Sequence, residues 1–174
     1  SWSIFNDEGR LTKETYDELL QKLYRNAECY SSEISLTKRR VELINVLKDL
    51  GLFCFYHDCY DVPAVTYRGH TFVFDMVEPF QLGFYADIAT FDKDDDDVRS
   101  ELHAAFNNIN WTQFLAYVYE VDGFVVISSS QYVGTRKINK DEVVFMLQSM
   151  DEALRKFHKK VGRDGYLNDN VTCI

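Results

Sequence analysis

The sequence has few of the residues that build repetitive or disordered chains. Its 174 residues include two prolines and eight glycines, which excludes collagen-like repeats and proline-rich stalks. Basic residues are also in deficit, since 19 Lys and Arg stand against 28 Asp and Glu and give a formal net charge of −9. A surface of that charge repels phosphate backbones, so we expect no nucleic-acid partner. Hydrophobic residues make up 46% of the chain, which predicts one folded, globular core.

The chain also lacks long apolar runs and a cysteine framework. No run approaches the roughly 20 apolar residues that cross a bilayer, so we expect no membrane partner. Residues 1–8 show neither the basic nor the apolar segment of a signal peptide. The four cysteines, Cys29, Cys54, Cys59 and Cys173, follow no recognisable disulfide pattern. These observations predict a cytoplasmic protein with reduced thiols.

Apolar residues recur at helical spacing in four segments. The predicted helices cover residues 12–27, 37–50, 98–109 and 139–161. Thr12 is a suitable N-cap for the first helix, Gly51 ends the second and Gly162 ends the last. Asn139 and Glu142 fit a capping box at the start of the last helix. The apolar residues of that helix repeat every three or four positions, which suits either packing onto a sheet or pairing with a second copy.

Segments rich in β-branched and aromatic residues predict six strands. The predicted strands cover residues 52–57, 64–67, 70–76, 82–91, 111–120 and 124–130. The first four form a meander, in which Arg68 and Gly69 make a two-residue turn and Pro63 lies in a gap between strands. The last two form a hairpin that turns at Asp122 and Gly123, where positive φ is tolerated.

The order of these elements predicts an α+β domain. Two helices, four strands, a helix, a hairpin and a final helix include no βαβ repeat with a glycine-rich phosphate turn. Helices with a single apolar face are expected to pack on one face of an antiparallel sheet. We predict an N-terminal helical extension at residues 1–35, an α+β domain at 36–161 and a polar, frayed tail at 162–174.

One stretch of the chain resembles a known family. A helix that carries Asn107 and Asn110 runs into a strand, the strand turns at Asp122 and Gly123, and a long helix follows. This order resembles the YbjN-like family of bacterial sensory-transduction regulators over residues 36–161. That family is similar in fold to the class I chaperones of type III secretion, which are small, acidic and often dimeric and bind an extended segment of a partner. The resemblance implies a chaperone-like fold and a protein-binding or regulatory role without catalysis or a cofactor.

Residues that could carry chemistry are few. Cys54, His57 and Cys59, beside Asp58, come nearest to a zinc site, and they define the alternative hypothesis of a small-molecule or metal-binding enzyme. On a strand, however, Cys54 and His57 point to opposite faces. The aspartates of residues 92–97 lack the glycine and the final glutamate of a calcium loop, so we interpret them as a helix start. We therefore predict no catalytic, metal or cofactor site.

The strand predicted at residues 111–120 is apolar on both faces. Helices can cover only one of these faces, so the other is expected to bind a partner protein or a second copy in a homodimer. The residues predicted to form this partner-binding surface are Trp111, Leu115, Tyr117, Tyr119 and Val126.

Overall fold

The computed structural model describes residues 13–26, 31–161 and 170–174. Its elements are α1 (Lys13–Asn26), α2 (Ser31–Asp49), β1 (Phe53–His57), β2 (Val62–Tyr67), β3 (His70–Phe74), β4 (Gln81–Phe91), α3 (Asp96–Thr112), β5 (Tyr117–Val121), β6 (Phe124–Tyr132), α4 (Lys140–Val161) and β7 (Val171–Cys173). The predicted α+β class is confirmed. Thr12, Ala27, Cys29 and Gly162 lie outside the described residues. Within the described ranges, no helix is both long enough and apolar enough to cross a membrane.

The strands follow the hydrogen-bonding order β1-β2-β3-β4-β6-β5, and β7 also pairs with β4. Pairing is antiparallel between β1 and β2, β2 and β3, β4 and β7, and β5 and β6. The predicted meander is therefore confirmed as β1 to β4. In this order β5 is a terminal strand, with β6 as its neighbour on one side.

The chain divides into two compact units. The first unit contains Ser1–Phe84 and Gln131–Val144, and the second contains Tyr85–Ser130 and Phe145–Ile174. These boundaries run through β4, β6 and α4. The domain limits expected at residues 35/36 and 161/162 stay a prediction.

In the first unit, α1 and α2 pack through leucines and a polar contact. Leu19 and Leu23 of α1 are buried, and the Tyr16 hydroxyl donates to Asn45 Oδ1 of α2 at 2.6 Å. The helix α2 begins at Ser31, six residues before the predicted start, because Leu36 extends the buried stripe one turn further back. It ends at Gly51 as predicted, where φ is +74°.

Both predicted two-residue turns are confirmed by their backbone angles. Arg68 and Gly69 have φ values of +48° and +81°, and Asp122 and Gly123 have +52° and +84°. Two consecutive positive φ values define a type I′ turn, whose twist matches that of the strands it joins.

Pro63 lies inside β2, which corrects the prediction that it falls between strands. It stands opposite Tyr56 of β1, whereas pairing with β3 begins only at Ala64. One side of the Pro63 backbone therefore faces no strand, so the missing N–H is tolerated there.

In the second unit, α3 extends to Thr112, so the prediction of a strand from Trp111 was wrong. The buried residues of α3 are the five whose spacing predicted the helix: Val98, Leu102, Ala105, Phe106 and Ile109. Trp111 lies outside this stripe, in the last turn of the helix. The strand β5 starts only at Tyr117, after the connection formed by residues 113–116.

The final helix is confirmed, and its regular apolar residues are buried. Those residues are Val143, Leu147, Met150, Leu154, Phe157 and Val161. The burial of the stripe favours core packing over pairing between copies. The capping-box prediction was wrong for Glu142, because its carboxylate accepts two hydrogen bonds from Arg136, at 2.6 and 2.8 Å. Asn139 does cap the helix, since its Oδ1 accepts from the N–H of Asp141.

The end of the chain is partly ordered, contrary to the predicted frayed tail. Val171 to Cys173 form β7, which pairs with β4 from Phe91 to Ala89. A further hydrogen bond joins the N–H of Ile174 to the carbonyl of Ile88 at 2.9 Å.

Candidate interaction site

One face of the β5–β6 hairpin is buried, and the opposite face carries several exposed side chains beside the buried Val126. On the buried face Val118 stands opposite Ile127, and both side chains are almost completely inaccessible. The exposed face carries Tyr117, Tyr119, Val121 and Phe124, which we call the aromatic face. Tyr117 is 61% exposed, and the other three are between 36% and 48% exposed. Alternation along the strand produces this division because successive side chains point to opposite faces.

The α3 helix neutralises the one charged residue of β5. Glu120 accepts a hydrogen bond from Arg99 Nε at 3.0 Å, and His103 Nε2 lies 3.5 Å from its other carboxylate oxygen. Arg99 also lies 3.7 Å from Asp96 and donates to the carbonyl of Lys93. Because Glu120 alternates with Tyr119 and Val121, its carboxylate points to the buried face. The aromatic face therefore carries no charge.

Asn110 of α3 occupies the outer edge of β5. The N–H of Val118 donates to Asn110 Oδ1 at 2.8 Å, and Asn110 Nδ2 donates to the carbonyl of Val118 at 3.0 Å. In an antiparallel pair the N–H and C=O of one residue point to the same side. Since both groups of Val118 bind Asn110, they point away from β6. The side-chain amide thus takes the place that another strand would need.

Two further aromatic side chains precede the hairpin. Trp111 is 91% exposed at the end of α3, and Phe114 is 87% exposed in the connection to β5. We call these two residues together with the aromatic face the aromatic surface. Large apolar side chains with so little cover are uncommon in a soluble domain and mark sites of interaction when they occur in groups.

The structure places the five predicted partner-binding residues differently. Trp111, Tyr117 and Tyr119 belong to the aromatic surface. Leu115 is half-buried in the connection before β5. Val126 is completely buried, so it offers no surface to a partner. Val126 stands opposite Tyr119 in the hairpin, so its side chain lies on the same face as the aromatic residues but is covered there.

Phe114, Val121 and Phe124 are exposed residues that sequence reasoning missed. Phe114 was predicted to lie inside a strand, whereas it lies in the connection between the end of α3 at Thr112 and the start of β5 at Tyr117. The hairpin turn did contain a signal for the other two, since a type I′ turn at Asp122 and Gly123 places Val121 opposite Phe124.

The region of Cys54, His57 and Cys59 does not form a reactive centre. Cys54 is buried, and burial raises the pKa of its thiol far above the usual range, so the sulfur stays protonated. Cys59 is exposed, and Asp58 lies 3.8 Å from Lys22 of α1. No group of three metal-capable side chains occurs among the described residues.

The aspartates before α3 serve the helix start, as predicted. Asp95 Oδ1 accepts from the N–H of Val98 at 3.1 Å, which makes Asp95 the N-cap. Asp92 Oδ1 accepts from the N–H of Asp94 at 3.0 Å in the preceding turn. Two acidic residues, Asp96 and Asp97, lie in the first turn, where the helix dipole favours negative charge.

Comparison with protein-family models and with curated proteins finds no match. Among solved structures, the chain is similar to the crystal structure of "YbjN, a putative transcription regulator from E. coli". The two are 17% identical, with a TM-score of 0.48, and the match covers 67% of this chain and 86% of that chain.

Proposed function

We propose that this protein is a non-catalytic protein-binding module that forms a homodimer through its aromatic surface. The observation that carries the proposal is the exposure of Trp111 and Phe114, at 91% and 87%, next in sequence to a hairpin with an uncharged aromatic face. Leaving such rings in water costs free energy that contact with a protein surface recovers.

The size of the aromatic surface supports a second copy as the occupant. Six side chains with these exposures present on the order of 700 Å², because an aromatic side chain buries about 150–250 Å² when fully covered. A standard interface covers about 800 Å² of each partner. A symmetric dimer uses the same patch on both copies, so the aromatic surface approaches the required area only if all six residues take part.

The geometry of β5 supports face-to-face packing of the two copies. Pairing of edge strands would need the N–H and C=O groups of Val118, which already bind Asn110. The aromatic face needs no such groups, and Glu120 does not interrupt it because its carboxylate is held by Arg99. Two uncharged faces can meet without burying an unpaired charge.

Two of the three described thiols, those of Cys54 and Cys173, support a role without catalysis. A nucleophilic cysteine requires a lowered thiol pKa, whereas burial raises the pKa of Cys54 and also that of Cys173. These two thiols are thereby unsuited to the enzymatic alternative.

Sedimentation equilibrium tests the proposal. The wild-type protein should reach a concentration-dependent monomer–dimer equilibrium, and the double variant Tyr117→Ser/Tyr119→Ser should raise the dimer dissociation constant at least about tenfold, since interface tyrosines often contribute more than about 1 kcal/mol each. Tyr24→Ser is the matched control, because Tyr24 is an exposed tyrosine of α1 in the first unit. It should leave the constant unchanged.

Circular dichroism melting of each variant separates loss of association from loss of fold. A wild-type protein that stays monomeric up to several hundred micromolar contradicts the homodimer, and so does a double variant that dimerises normally. If the monomer instead retains another protein from a lysate through Tyr117 and Tyr119, the second copy is replaced as the occupant and the proposed dimer is wrong.

A further inference from the structure

A cleft opens in the first unit, and none of its lining residues belongs to the aromatic surface. It has a volume of about 330 Å³ and lies between α2, the connection of β3 to β4 and the connection of β6 to α4. Lys38 and Arg39 line it from α2, Phe80 from the first connection and Gly134 from the second. The volume falls within the range of small-molecule sites, which starts at about 300 Å³.

Hydrogen bonds hold the walls of the cleft together. Arg39 donates through Nε to the carbonyl of Pro79 at 2.8 Å and through Nη2 to the carbonyl of Gly134 at 3.3 Å. The carbonyl of Phe80 accepts from the N–H groups of Val133 and Gly134, at 2.8 and 3.1 Å. Because all three segments are joined, the shape of the cleft exists before a ligand arrives, which lowers the cost of binding.

The cleft carries a positive charge, that of Lys38, for which the described part of the chain offers no partner. The guanidinium of Arg39 is balanced by Glu42, whose carboxylate lies 2.6 Å away. Lys38, one residue earlier, makes no hydrogen bond or ion pair with any residue that the structure describes. An ammonium without a partner among the described residues, beside an apolar wall, favours an anionic ligand group, above all in a chain whose formal net charge is −9.

Pro79 and Phe80 form the apolar part of the site. Phe80 lines the cleft and is 41% exposed. The ring of Tyr132 lies 3.5 Å from the position that a Cβ atom on Gly134 would take. Gly134 has a φ of +58°, a backbone conformation that suits glycine, and a Cβ atom at this position would make only an ordinary contact with the ring. A flat ligand ring can pack against such a wall.

From this geometry we propose that the cleft binds a small aromatic carboxylate. The ring of the ligand packs against Phe80, and its carboxylate pairs with the ammonium of Lys38. This inference goes beyond the proposed homodimer, since every residue that carries it belongs to the first unit.

Titration of the full chain with 2-naphthoate, monitored by two-dimensional NMR and calorimetry, tests the inference. The neutral isostere 2-naphthamide should bind about fivefold more weakly, as expected for the loss of an ion pair near the surface. Lys38→Gln should remove this difference, and Phe80→Ala should weaken both ligands. Lys137→Gln, an exposed lysine in the connection of β6 to α4, is the matched control and should behave as wild type.

Three results would overturn the inference: no binding at about 5 mM ligand, equal affinity for the two ligands, or a difference that survives Lys38→Gln. The inference also requires that the NMR signals shifted by 2-naphthoate belong to residues of α2, of the connection of β3 to β4 and of the connection of β6 to α4. The Tyr117→Ser/Tyr119→Ser variant should bind 2-naphthoate as wild type does. A failure of the homodimer therefore leaves this test unaffected.

Discussion

Arg39 illustrates how much one side chain of this protein organises. It is largely buried, and its guanidinium bonds to Glu42 on its own helix and to the carbonyls of Pro79 and Gly134, which are far apart in the sequence. Glu42 in turn accepts from the N–H of Ile138 at 2.7 Å. The planar fork of an arginine reaches several acceptors at once, which the point charge of a lysine does not.

Arg39→Lys should therefore destabilise the protein although it conserves the charge. The variant loses at least two hydrogen bonds to part-buried acceptors, and we expect the free energy of unfolding to fall by about 1–3 kcal/mol. Urea denaturation followed by circular dichroism measures this change. Lys38→Gln is the control on the same helix and should shift the free energy by less than about 0.5 kcal/mol. Equal effects of the two variants would contradict the role of Arg39.

At the scale of elements, the β5 strand has the sequence of an aggregation-prone edge. It reads Tyr-Val-Tyr-Glu-Val, without lysine, proline or a bulge, which are the usual devices that prevent strands from pairing between molecules. The protection comes from α3 instead, because Asn110 binds the outward N–H and C=O groups of Val118. One helix residue thus substitutes for protective charges on the strand.

Asn110→Ala should expose this edge. The change removes two hydrogen bonds and leaves the backbone of Val118 unpaired, so we expect a loss of about 1–3 kcal/mol in unfolding free energy. Hydrogen exchange should show faster exchange of the Val118 amide, and light scattering should show larger assemblies. Asn107→Ala is the matched control, since Asn107 is exposed on the same helix. Slow exchange of Val118 in the Asn110 variant would count against the edge role.

The elements show where sequence reasoning succeeds and where it stops. The meander and both hairpin turns were predictable because Arg68-Gly69 and Asp122-Gly123 tolerate positive φ locally. The start of β5 was not, because Trp111 and Phe114 have high strand propensity and nothing local ends the helix before them. The helix continues to Thr112 and aligns Asn110 with Val118, which is a contact between elements that periodicity does not reveal.

At the scale of the whole molecule, the distribution of charge separates two kinds of surface. The chain has a formal net charge of −9, and its aspartates cluster before α3, whereas the aromatic face is uncharged. Two copies that meet through this face gain apolar contact but suffer repulsion between their net charges. Salt screens the repulsion without weakening the apolar contact.

Dimerisation should consequently strengthen with ionic strength. Between about 20 mM and about 500 mM NaCl the Debye length falls from roughly 20 Å to roughly 4 Å, and we expect the dimer dissociation constant to decrease several-fold. Sedimentation equilibrium at three salt concentrations measures the trend. An interface built on ion pairs would show the opposite dependence, so a dissociation constant that rises with salt would contradict an interface formed by the aromatic surface.

The sequence predicts only the part of the candidate site that follows from the alternation of side chains along a strand. Tyr117 and Tyr119 share a face in any strand, so the sequence places them together. Val126 shares that face, opposite Tyr119, and yet is buried, because burial depends on what packs on the sheet at that point and not on alternation along the strand. The cleft beside Lys38 was also beyond prediction, since it joins segments that lie about 40 and 95 residues apart along the chain.

The short β7 strand has a consequence for anyone who shortens this protein. It pairs with β4 at Ala89, Thr90 and Phe91. A stop codon introduced just before Val171 would leave the N–H and C=O groups of β4 unpaired on that edge. Unpaired backbone groups on a long strand can pair with strands of neighbouring molecules. Versions truncated there for crystallisation or expression would thereby gain an aggregation-prone strand edge that Val171 to Cys173 otherwise cover.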